Sequence, residues 1–107
     1  MYTPIATTHP SVPTATWTKV STLAGKDRRY LRLVNDDPTN VWRFEMVVAG
    51  AAAPVGAAVG TMLSKGSTGH TGGFYEENEH SKLSNAEAWV YQASGGALAT
   101  LAVTEGA

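Results

Sequence analysis

Cysteine is absent from this 107-residue chain, so it has no disulfide framework and no thiolate metal site, and redox chemistry says nothing of its compartment. Charge is scarce. Only 16% of residues are Asp, Glu, Lys or Arg, and the 8 basic and 9 acidic side chains leave a net charge of -1, which offers no polyanion-binding surface. Nucleic acid is therefore not an expected partner. The Glu, Lys and Leu that build helical bundles are too few for an all-helical fold. No long hydrophobic run occurs either. The most apolar window, VVAGAAAPVGAAVG from 47 to 60, is 14 residues long and contains three Gly and Pro54, short of the ~20 apolar residues a bilayer-spanning helix needs. The first twenty residues lack a basic start followed by an apolar core, so a secretory leader is not expected. The expectation is a soluble chain with no membrane partner.

What is present favours short strands. Apolar residues make up 43% of the chain, too many for wholesale disorder, and 11 Gly and 5 Pro are spread among many Thr, Ala and Val. At this length a single core is expected. Residues 1–16 are rich in Thr, Pro and Ala, and Pro4, Pro10 and Pro13 each remove a backbone donor and push the preceding residue towards extended geometry. They read as an extended arm that needs contacts to become ordered. Strands follow at 15–23, at 28–35 with Leu31 and Leu33 on one face and Arg28, Tyr30 and Arg32 on the other, and at 41–47. In the last, Trp42, Phe44 and Met46 alternate with Arg43 and Glu45, the clearest period-two signal in the chain. The short loop NDDPTN between the two suggests an antiparallel hairpin. An apolar Ala/Gly loop covers 49–60, where Pro54 and the glycines interrupt any helix. A short strand at 61–64, a Gly-rich loop at 65–73, a strand starting at FYEENEH and a C-terminal hairpin AWVYQASGGALATLAV complete the reading. The fold class expected is all-β: a small antiparallel β-sandwich or barrel of about six strands over 17–107, preceded by the arm at 1–16.

The sequence offers little chemistry. A nucleophile would have to be Ser or Thr, and no GxSxG elbow is present. Ser67 stands three residues before His70 in a Gly-rich stretch, which reads better as a turn than as a catalytic pair, and the same stretch lacks the order of a phosphate loop. Glu76, Glu77, Glu79 and His80 crowd five positions without EF-hand spacing, and are taken as a solvated acidic loop rather than a metal site. Arg28, Arg29, Arg32 and Arg43 lie near Asp27, Asp36, Asp37 and Glu45, so ion pairing accounts for them. Trp17, Trp42, Trp89, Tyr30, Tyr75 and Tyr91 would form a sugar-binding platform if they shared an exposed face, although the alternation around Trp42 and Trp89 favours burial. No catalytic residue, metal or cofactor is expected.

The order of the segments RRYLRLVNDDPTNVWRF, APVGAAVGTML and EAWVYQASGGALATLAVTEG, spanning 28–106, resembles small β-rich structural proteins of tailed bacteriophage virions. The resemblance implies a non-enzymatic protein that decorates or stabilises a capsid, or forms part of a head fibre or tail, located in the virion after assembly in the host cytoplasm. The implied partners are further copies of the chain, a trimer favoured, and a capsid or tail protein. The assembly contacts are expected from the arm, through Pro4, Pro10 and Pro13, and from the apolar loop, through Ala51, Ala52, Pro54 and Val55. The alternative from the residues themselves is a carbohydrate-binding or adhesion module that uses exposed aromatics.

Overall fold

The computed structural model describes residues 6–22, 28–67, 70–78, 86–94 and 96–106. Among them there are eight strands and no helix: β1 (Ala6–Thr8), β2 (Thr18–Lys19), β3 (Tyr30–Asn35), β4 (Trp42–Val47), β5 (Thr61–Leu63), β6 (Phe74–Asn78), β7 (Glu87–Tyr91) and β8 (Leu101–Gly106). They form two four-stranded antiparallel sheets, the first in the order β1-β8-β3-β6 and the second in the order β2-β7-β4-β5. The architecture is a β-sandwich. Its core joins Leu31, Leu33, Leu101 and Val103 of the first sheet to Trp42, Phe44, Leu63, Ala88 and Val90 of the second, with Val12 and Val20 completing it. Leu31, Leu33 and Trp42 are fully buried, Met46 packs at the core's margin, and Arg43 and Glu45 occupy the opposite face of β4, as the alternation predicts.

Both expected hairpins are overturned. β3 pairs with β6 and β8, and β4 pairs with β5 and β7, so the strands flanking NDDPTN belong to different sheets. β7 and β8 are likewise divided between sheets. Each of these strands carries one apolar face, and sequence neighbours bury those faces against each other across the core instead of pairing edge to edge. Among the described strands only β4 and β5 are paired sequence neighbours. Asn35 fixes the first crossing: its amide Nδ2 donates to the carbonyls of Asn40, Leu63 and Ser64, each at 3.0 Å, and its Oδ1 accepts from the Asp37 amide at 2.9 Å. The end of β3 is thereby tied to the second sheet. Asp37 then organises the loop, accepting from the Thr39 and Asn40 amides and from the Thr100 hydroxyl at 2.7 Å. Gly72 presses on the same corner: a Cβ there would lie 2.2 Å from the Ser64 carbonyl oxygen, so no larger residue fits.

The N-terminal segment, expected as an extended arm that needs contacts to become ordered, makes such contacts within the chain. β1 pairs with β8, and Val12 is fully buried, its backbone exchanging hydrogen bonds with Leu98 while its carbonyl accepts from the buried Gln92 side chain at 3.0 Å. Residues 6–14 therefore find their order within this chain. Pro4 lies outside the described residues; Pro10 is half-buried and Pro13 exposed.

Candidate functional site

The features that stand out are a buried charge cluster at one end of the sandwich and an exposed apolar loop beside an aromatic groove. The cluster follows from register. Leu31 faces the core with Glu105 of β8 on one side and Glu77 of β6 on the other, so two carboxylates point inward in one row. Arg28, just before β3, neutralises them: its Nη2 is 3.1 Å from Glu77 Oε1 and its Nη1 3.9 Å from Glu105 Oε2, with the Arg28 and Glu77 side chains fully buried. Tyr75 donates to the other Glu77 oxygen at 2.6 Å, and the Thr22 amide and hydroxyl donate to Glu105 Oε1. Burial, followed by the bond to Glu77, raises the Tyr75 phenol above its ordinary range and keeps it a donor. In this network the Arg28 charge faces both carboxylates.

It corrects two expectations. Arg28 is not on the outer face with Tyr30 and Arg32, and it pairs with glutamates 49 positions away and beyond. Glu77 is not solvated but buried. Glu76 is exposed and accepts from Tyr30 at 2.7 Å, while Glu79 and His80 lie outside the described residues. Among the described residues no group of three or more His, Asp or Glu is arranged to hold a metal ion. Ser67 and His70 exchange backbone hydrogen bonds of 2.9 and 3.0 Å, and both are exposed. Arg32 lies over the Phe74 ring at 5.2 Å, a cation–π contact on the outer face of the first sheet.

The loop between β4 and β5 contains no charged side chain from Val48 to Gly60. It is shaped by backbone. Gly50, Gly56 and Gly60 have φ of 84°, 107° and 78°, and Gly60 passes so close to β4 that a Cβ would lie 2.6 Å from the Phe44 carbonyl oxygen. Trp17 holds the middle, its indole N–H donating to the Gly56 carbonyl at 2.9 Å. Between these anchors the apolar side chains are presented outward: Val48 is 76% and Val55 86% exposed, Ala51 and Ala52 are exposed, and Pro54 is half-buried. Under the loop runs an open groove of about 410 Å³, lined by Trp17, Pro54, Val55 and Tyr91 among others. The Trp17 and Tyr91 rings are 5.3 Å apart and tilted by 38°. Of the other tryptophans Trp42 is core and Trp89 half-buried. Residue type alone marks Trp17 and Tyr91 as candidates for such a site, but their meeting depends on the pairing of β2 with β7.

No protein-family model matches the chain, and neither a curated protein nor a solved structure shows significant similarity to it.

Proposed function

We propose that this chain is a non-enzymatic structural protein of a tailed-phage virion, a homo-oligomer that decorates or stabilises a capsid, or serves in a head fibre or tail, and assembles through the loop at 48–60. One observation carries the assembly reading: a loop without charge is anchored by Trp17 and three glycines, yet leaves Val48 and Val55 in water. Burying a valine side chain is worth about 1.5–3 kcal/mol, so a sandwich whose own core is already filled leaves that stabilisation to a neighbour. The order and spacing of the strand segments over 28–106 support the virion assignment by resemblance, and a second copy of the same loop is the simplest neighbour in a closed symmetric assembly. The test is light scattering on the wild type and on Val48→Ser/Val55→Ser. A wild-type oligomer, of trimer mass on this reading, that falls to monomer in the variant while keeping its β-sheet circular dichroism is the expected result. A wild type that stays monomeric at all concentrations overturns the assembly reading. A gene lying apart from capsid and tail genes counts against the virion assignment.

A further inference from the structure

The outer face of the second sheet is not the plain polar surface a sandwich ordinarily presents to water. Because Trp42, Phe44, Ala88 and Val90 point into the core, their neighbours along β4 and β7 point out. The register sets Arg43 between Tyr91 and Met62, and Trp89 between Lys19 and Glu45. Trp17 joins the first of these rows through its ring contact with Tyr91. The face thus combines two half-buried indoles, Trp17 and Trp89, with one guanidinium and one carboxylate two residues apart on β4, roughly 7 Å along the strand, while Tyr91 is buried beside Trp17. Lys19 is engaged by Glu87 at 3.4 Å. Among the described residues Arg43 and Glu45 make no side-chain hydrogen bond or ion pair, in contrast to Arg28, Glu77 and Glu105.

From this arrangement we infer that the outer face of the second sheet, from Trp17 across Arg43 and Glu45 to Trp89, is a binding site for a neutral oligosaccharide. A pyranose has an apolar C–H face that lies on an aromatic ring, and a rim of hydroxyls that each donate and accept. Arg43 supplies only donors and Glu45 only acceptors, so neighbouring hydroxyls satisfy both at once. Aromatic walls with a few polar groups that fix orientation are the usual composition of a small-ligand site. The charges decide the ligand class: Arg43 and Glu45 cancel, as do Lys19 and Glu87, so neither an anionic nor a cationic ligand is selected. An apolar protein surface would bury Arg43 and Glu45 without hydroxyls to satisfy them, which is costly.

The experiment is calorimetric and fluorescence titration of the intact chain with maltohexaose, cellohexaose, chitohexaose and mannohexaose. At least one should bind saturably, in roughly the millimolar range or tighter. Arg43→Met and Glu45→Gln should each weaken that binding by roughly tenfold while leaving the melting temperature in place, and Glu76→Gln on the first sheet should leave it unchanged. If none of the four gives a saturable response, or if binding persists undiminished in both β4 variants, the inference fails. Neither variant touches Val48 or Val55, so a failure here is separable from a failure of the assembly reading.

Discussion

Replacing Arg28 by methionine removes a buried cation that pairs with two inward-facing carboxylates. The separations are 3.1 Å to Glu77 and 3.9 Å to Glu105. At an effective dielectric of about 20 the two attractions amount to roughly 5 and 4 kcal/mol, most of which offsets the cost of taking the three charges out of water. The loss on removing the partner is therefore not the sum of the attractions but the cost of a stranded charge, about 3–5 kcal/mol. For a domain whose total stability lies in the range of about 5–15 kcal/mol, this brings the variant close to unfolding at room temperature. Urea titration at neutral pH measures it, with the midpoint falling and the slope held. Replacing Arg28, Glu77 and Glu105 together by apolar residues of similar volume should cost far less than the single change. If Arg28→Met lowers stability by less than about 1 kcal/mol, the cluster is not buried and paired as described, and the argument collapses.

The period-two pattern of β4 makes Trp42→Ala cost about 3–5 kcal/mol in the same titration, against less than about 0.5 for Glu45→Ala; equal effects mean the faces are misassigned. Burial alone would raise the Asp37 carboxyl, but hydrogen bonds from Thr39, Thr100 and Asn40 outweigh it and hold the group well below the ordinary carboxylate range. With the folded value below the unfolded one, Asp37 contributes its full stabilisation above about pH 4 and loses it as pH falls further, so Asp37→Asn should flatten the acid limb of a stability–pH curve. Val12→Ala should cost about 1–3 kcal/mol, and deleting residues 1–14 should unfold the domain in a thermal melt; a truncation that melts like the wild type would show that β1 and Val12 are dispensable.

What the sequence determined by itself was local. Alternation over 28–35 and 41–47 identified two strands, observed at Tyr30–Asn35 and Trp42–Val47, and their buried faces within those bounds, because a side chain's direction along a strand depends only on its position in the pleat. Pro54 and the glycines at 50, 56 and 60 identified an apolar loop over 49–60 in place of a helix. Which strands pair was decided by the tertiary structure. A short polar loop serves a hairpin or a crossing between sheets equally well, and the choice at 35–40 fell to Asn35, whose amide binds carbonyls 28 and 29 positions away. The same non-locality hid the sites. Glu77 reads as one acid among several until β6 turns it towards Arg28, and Trp17, Tyr91 and Arg43 share a surface only because β2, β7 and β4 lie side by side in register. Hydrophobic periodicity is set by the nearest neighbours in the chain, whereas a charge pair or an aromatic face is set by which distant backbones hydrogen-bond, and that free-energy balance belongs to the whole fold.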